Sequence, residues 1–331
     1  MFKKRVSPKV DLARSLGRIS IHDLRRRITS LRNADFEQLP DEAVTERVKR
    51  IMDQYPFQLR PMVLSGVYRA RTNPPGEIFS HARQLWYPPA DCVTSLSRLN
   101  RAHQVRFYAA NSPNAAMLEL RPQEGSVITV LLATTRGAPF LELKNTVFIG
   151  LERSLAQEVR HLGPSDLFRT APSFRQQVGE GNYKKWRLID DYFGDILSAP
   201  VTYATRHLYK PTMALADVLF SCPDLDVINY PSVESDQHGI NLCTLPEKAD
   251  RLLKPFEAWI IHVQQLGYHA VTGQELRRIE FKRRCRPIGD DGVISWLPEG
   301  EGLEKSEILR FTQHRLKALE QMPLPLPPSP A

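Results

Sequence analysis

The 331-residue chain carries 45 Lys and Arg against 37 Asp and Glu, a formal charge of +8 at pH 7, with 42% hydrophobic and 25% charged residues. That balance is ordinary for a globular protein and argues against overall disorder. No run approaches the roughly 20 apolar residues of a membrane-spanning helix, and Met1-Phe2-Lys3-Lys4-Arg5 leads into Pro8 and Asp11 instead of an apolar leader, so a cytoplasmic location without membrane contact is expected.

Cys92, Cys222, Cys243 and Cys285 are widely spaced, with no Cys-x-x-Cys pair and no His at zinc-finger spacing. They read as reduced thiols, and no metal site is expected. The positive excess is local: residues 1–60 hold 14 Lys and Arg against 8 Asp and Glu. Such a face can draw nucleic acid or an acidic partner. A solvated surface of short basic helices is the commoner origin and the preferred reading, so nucleic acid is not favoured as a partner.

Apolar residues at mixed helical spacing predict helices from about Asp11 to Arg32 and from Asp41 to Gln54, with Asp41 as the cap of the second. Pro56 and Pro61 mark a hinge. Val63 to Ala70 reads as one strand, closed by the turn sequence Asn73-Pro74-Pro75-Gly76. Val105 to Ala109 reads as a strand feeding a short helix, Ser112 to Leu120, with a capping serine and Pro113 at its start.

Ser126 to Thr134 is an apolar run of strand length. Leu151 to Leu162 and Tyr203 to Phe220 read as helices, the latter interrupted at Pro211. Val227 to Tyr230, Ile240 to Leu242 and Ala258 to Val263 read as strands. Glu304 to Gln321 suggests a last helix, followed by a Pro-rich tail that is extended or disordered. Three regions follow: a basic helical segment over residues 1–60, a core over 61–275 with an insertion at about 145–211, and a C-terminal extension over 276–331.

The chemistry-bearing residues are each weak signals alone. Arg69, after Tyr68 on a strand, could fork onto phosphate oxygens, or be an ordinary exposed strand-end arginine. Arg98 and Asn100 supply a second guanidinium and an amide suited to phosphate or ribose hydroxyls. Tyr108 ends a strand and Glu119 ends the helix after it, where a carboxylate is either solvated or held in a site. Ser232 follows Tyr230-Pro231, and Asn241 opens a later strand; turn chemistry alone accounts for such residues.

Taken in order, Tyr68-Arg69, Arg98-x-Asn100, Phe107-Tyr108-Ala109-Ala110, Ala115-Ala116-Met117-Leu118-Glu119, Tyr230-Pro231-Ser232 and Asn241 resemble the pattern of the RES domain family, from about Gly66 to Asn241. Ser97 and Leu99 stand where that family commonly has a glycine and an aromatic residue. The resemblance implies an α+β fold, an ADP-ribosyltransferase-like mixed β core with flanking helices, here preceded by a helical N-terminal region. It also implies that NAD is consumed as a substrate, its nicotinamide–ribose bond cleaved with phosphate, water or a protein side chain as acceptor. The last case would make the protein a mono-ADP-ribosyltransferase.

On that resemblance Arg69, Tyr108, Glu119 and Ser232 are the catalytic set, and Tyr68, Arg69, Arg98, Asn100, Tyr108 and Asn241 bind the dinucleotide. Glu119 would stabilise charge at the anomeric carbon, Arg69 would hold the pyrophosphate or an incoming phosphate, Tyr108 would pack on a substrate ring and Ser232 would orient the nicotinamide ribose. Many relatives are short toxins paired with an antitoxin, so a protein partner and a toxin or defence role are implied as well. Two other readings compete. Arg98 and His103 have the Arg-x4-His spacing of a helical ribonuclease family, and a degenerate site would leave a binding module.

Overall fold

A computed structural model of the protein describes residues 16–303 apart from 54, 56–58, 65, 136–140, 151–174, 177, 233–238 and 269–274. The expected helices at Leu151 to Leu162 and Glu304 to Gln321 lie outside the described residues, as does the Pro-rich tail.

Early in the described residues lie two helices, α1 (Ile21–Arg32) and α2 (Asp41–Met52). Ser20 caps α1 by accepting the Asp23 N–H at 3.0 Å. Asp41 does not cap α2, a correction to the sequence expectation. Pro40 occupies that position, and the Asp41 carboxylate on the first turn instead pairs with Arg101 at 3.0 Å and Lys210 at 3.7 Å.

The single strand expected over Val63 to Ala70 is two strands, β1 (Arg60–Leu64) and β2 (Val67–Thr72). The break falls at Gly66, where a Cβ would meet Leu132 Cδ1 at 2.4 Å and the Ala133 carbonyl at 2.9 Å, an approach that only glycine permits. β3 (Phe107–Ala110), α3 (Pro113–Leu118) and β4 (Val127–Thr135) fall where the pattern puts them. Ser112 accepts the Ala115 N–H at 3.1 Å at the start of α3.

β5 (Leu141–Phe148) and α4 (Glu180–Leu197) come next. Pro211 does not interrupt a helix. It sits in the first turn of α5 (Lys210–Phe220), where a missing N–H costs nothing, and a 3-10 turn over Arg206–Tyr209 precedes it. β6 (Val227–Pro231), β7 (Ile240–Thr244), α6 (Pro246–Leu252), the 16-residue β8 (Leu253–Tyr268) and β9 (Glu275–Arg284) complete the described elements.

The strands form one mixed sheet in the order β1-β5-β6-β7-β3-β2-β4-β8-β9, so the fold is α+β as expected. Only β5 and β6 pair in parallel among the described strands. A parallel pair needs a crossover, and α4 and α5, which pack on the sheet, lie on it.

One sheet face carries two helical layers. α1, α2, α4 and α5 share an apolar cluster with Val147, Ile228, Tyr230 and Cys243, in which Leu99 is fully buried. α3 covers a second cluster with Tyr68, Val130, Leu132 and Trp259. Gly150 and Gly194 bring α4 close to the end of β5, because a Cβ on Gly194 would lie 2.8 Å from Gly150 Cα, and Asp190 fixes the contact by accepting from Gly150 N at 3.1 Å and Tyr55 Oη at 2.8 Å. The opposite face packs on Phe107, Ala109, Leu131, Leu242, Ala258 and residues of the 79–85 and 285–294 segments.

Candidate functional site

Register decides which side chains can meet. Tyr68 pairs with Ala110, Ala110 with Asn241, and Asn241 with Tyr230, so these four form one row across β2, β3, β7 and β6 on a single face. Tyr108, Cys243 and Ile228 form the next row on that face. α3 begins just beyond β3, held by Asn111, which exchanges hydrogen bonds with Ile240 through its backbone N–H and its side-chain oxygen, each at 2.9 Å. Its C-cap, Glu119, thereby reaches the end of the first row.

There Glu119 Oε1 accepts two hydrogen bonds, from Ser232 Oγ at 2.6 Å and from Asn241 Nδ2 at 2.7 Å. Ser232 and Asn241 are buried and Glu119 is exposed. Two donors on one oxygen fix the direction of the carboxylate, and Oε2 makes no hydrogen bond to the described residues. Three residues far apart in the chain are thus brought together.

Tyr230, beside Asn241, is 3% exposed and its hydroxyl makes no hydrogen bond to the described residues. Burial, with the Glu119 charge adding to it and Arg98 opposing, holds its pKa well above the ordinary tyrosine value, so it stays a protonated donor. Arg98 borders the same place. Its Nη1 donates to the Leu197 and Ala199 carbonyls at 2.5 and 3.1 Å, and its guanidinium stacks on Tyr209 at 5.4 Å, while Nε and Nη2 are not engaged by the described residues. Thr212 Oγ1 donates to the Arg98 carbonyl.

Tyr108 and Asn100 hold the Arg98 loop in place. Tyr108 Oη accepts from Leu99 N at 3.0 Å and donates to Asn100 Oδ1 at 2.7 Å, and Asn100 Nδ2 donates to the Arg101 carbonyl at 2.9 Å. Those hydroxyl and amide groups are committed to the loop that carries Arg98. Tyr68 is buried beneath α3.

Arg69 is placed elsewhere. It pairs with Leu131, so it faces the opposite side of the sheet from Tyr68, Asn241 and Tyr230. Its Nε donates to the Trp86 carbonyl at 3.0 Å and its Nη1 to the Tyr108 carbonyl at 2.7 Å, and it lies over the Phe107 ring. Burial, with Arg71 nearby, lowers its pKa to about 10. The guanidinium fills the place where pairing of β2 with β3 stops after one residue pair. The structure does not bring Arg69 to Glu119, which corrects the expectation of a single site for both arginines.

Arg98 and His103 lie in the loop before β3, and His103 is exposed with φ 61°, so they do not share the long helix of the ribonuclease arrangement. Among the described residues no group of three or more His, Cys, Asp or Glu could hold a metal ion, and no helix is long and apolar enough to cross a membrane.

The family model of the RES domain matches residues 67–264, three fifths of the chain. The chain belongs to the RES family. No curated protein matches it. The RES domain spans β2 to β8 and so contains the Glu119, Ser232 and Asn241 cluster together with Arg98 and Tyr230. Of the site residues not expected from the sequence, Tyr230 lay in plain view in the Tyr-Pro-Ser motif. Tyr209 carries no local signal, since only the crossover brings it over Arg98.

Proposed function

We propose that this RES protein cleaves the nicotinamide–ribose bond of NAD, with Glu119 as the catalytic carboxylate. The supporting observation is the carboxylate held on one oxygen by Ser232 and Asn241, with its other oxygen unengaged by the described residues. In the reaction the C1′–N bond breaks and its electron pair leaves with nicotinamide, which departs neutral from a cationic ring. General-acid help is then unnecessary, and the demand on the protein is stabilisation of an oxocarbenium-like transition state.

Glu119 meets that demand by binding a ribose hydroxyl and placing negative charge near C1′. Ser232 and Asn241 keep the carboxylate aimed, and the Tyr230 hydroxyl is a further donor to the ribose side. Arg98 takes the phosphate-binding role, for the pyrophosphate or an incoming phosphate, because its Nε and Nη2 hydrogens suit paired oxygens. Attack of a phosphate or water oxygen on C1′ completes the substitution.

The test is incubation of the purified protein with NAD, with and without phosphate, and mass analysis of the products. Nicotinamide release is expected. A phosphorylated ADP-ribose identifies phosphate as acceptor, free ADP-ribose identifies water, and mass added to a protein identifies a transferase. Absence of nicotinamide release under every condition, with NAD bound, would identify a binding module instead.

A further inference from the structure

Among the described residues Tyr203 is 81% exposed, well beyond the other exposed large hydrophobic residues, of which the next is 49%. It is not a loose side chain. Thr202 N donates to Thr205 Oγ1 at 2.9 Å, the two threonine hydroxyls lie 3.0 Å apart, and Thr205 N donates to the Thr202 carbonyl at 3.3 Å, so the turn that presents the ring is closed on both sides of it. Arg206 stacks on the ring at 4.3 Å. An aromatic ring held out in water with a guanidinium alongside is a stacking platform for a nucleobase.

Its position gives the platform a purpose. Arg206 opens the 3-10 turn that ends at Tyr209, the ring beneath Arg98. Such a turn rises about 2 Å per residue, so Arg206 and Tyr209 lie roughly 6 Å apart along its axis. The carbonyls that hold Arg98, of Leu197 and Ala199, precede Tyr203 in the same segment. Arg98, whose charge acts on Tyr230 as that of Glu119 does, is thereby tied through Tyr209 to the turn segment that carries Tyr203 and Arg206.

We infer that Tyr203 and Arg206 form the subsite for the adenine ring of the dinucleotide, with the ring stacked on Tyr203 while the pyrophosphate lies at Arg98. The inference rests on the NAD reading above. It makes the protein select a dinucleotide over nicotinamide mononucleotide, which has the reacting ribose but no adenine.

The experiment measures KM and kcat for NAD and for nicotinamide mononucleotide, together with Kd for ADP-ribose and AMP by calorimetry. It compares the unmutated protein, Tyr203→Ala, Tyr203→Trp and a remote surface control, Val293→Ala. Because Tyr203 is exposed, Tyr203→Ala is expected to keep its melting temperature. It should weaken ADP-ribose and AMP binding about tenfold or more and erase the preference for NAD, whereas Tyr203→Trp retains both.

Equal ADP-ribose affinity in Tyr203→Ala and the unmutated protein overturns the subsite, as does absence of ADP-ribose binding. Tyr203-dependent binding of a single-stranded oligonucleotide in place of ADP-ribose also overturns it. Tyr203-dependent ADP-ribose binding without nicotinamide release leaves the subsite standing and rejects the catalytic reading, so the two failures are distinguishable.

Discussion

Ser232 Oγ lies 2.6 Å from Glu119 Oε1, although 113 positions separate the two residues. The contact exists because Glu119 ends α3 over the sheet while Ser232 leaves β6 beside β7, whose Asn241 donates to the same oxygen at 2.7 Å. One carboxylate oxygen is thereby held by two donors, and the other makes no hydrogen bond to the described residues.

Glu119→Gln should keep the fold and lower the rate of nicotinamide release by about 10²–10³, the usual cost of losing one electrostatic stabiliser. Glutamine has nearly the same shape and can still accept from Ser232 and Asn241 through its carbonyl oxygen. Steady-state kinetics with a thermal unfolding curve check this. An unchanged rate in a folded variant removes Glu119 from the mechanism.

Ser232→Ala and Asn241→Ala act on one atom, so their effects should not multiply. Each is expected to reduce turnover roughly tenfold, and the double variant less than the product of the two, because residues sharing a partner are energetically coupled. A double-mutant cycle on kcat/KM measures the coupling. Strict additivity would show that the two donors serve separate functions.

The two arginines should separate into different phenotypes. Arg98→Lys keeps the charge but cannot both satisfy the Leu197 and Ala199 carbonyls and present a planar fork, so KM for NAD or phosphate should rise about tenfold or more. Arg69→Lys should instead lower stability by about 1–2 kcal/mol, because the Trp86 and Tyr108 carbonyls lose donors. Urea titration and substrate-dependence curves on both variants decide the assignment. The reverse pattern would return the phosphate role to Arg69.

Stability should fall at alkaline pH. Burial pushes the Cys243 thiol from its ordinary 9.0 up to about 12 and holds Tyr108 and Tyr230 well above 10.0. Each group gives up its proton more readily in the unfolded chain, so above about pH 9 the unfolded state binds fewer protons and the unfolding free energy declines as pH rises. The stabilisation is complete below pH 9 and, for Cys243, is lost as pH climbs through about 12. Cys243→Ala should make the decline shallower between pH 9 and 12, as read from denaturant midpoints. An identical pH profile would mean that the thiol does not contribute.

Much was legible in the sequence by itself. The strand and helix from Phe107 to Leu118 follow from β-branched and aromatic content, then Ser112 and Pro113 at a helix start, all local chemistry. The ordered appearance of Tyr68-Arg69, Arg98-x-Asn100, Tyr108, Glu119, Ser232 and Asn241 marked the family, because residue types and order survive without coordinates. The crossover was not legible. β5 is a run of mixed polarity, and its parallel partner β6 lies far beyond it in the chain, so nothing local announces the pair.

Only the tertiary structure could separate Arg69 from Arg98. Arg69 lies within β2 and Arg98 in the loop before β3, and both carry the same charge, but a strand sends successive side chains to opposite faces, and its register with its neighbours decides which face belongs to the site. Pairing with Leu131 turns Arg69 toward the far core, while the Tyr108 and Asn100 hydrogen bonds bring the Arg98 loop over the row that holds Asn241 and Tyr230. Composition and spacing carry no information about that choice, because it is made by non-local pairing and not by either residue's own neighbours in the chain.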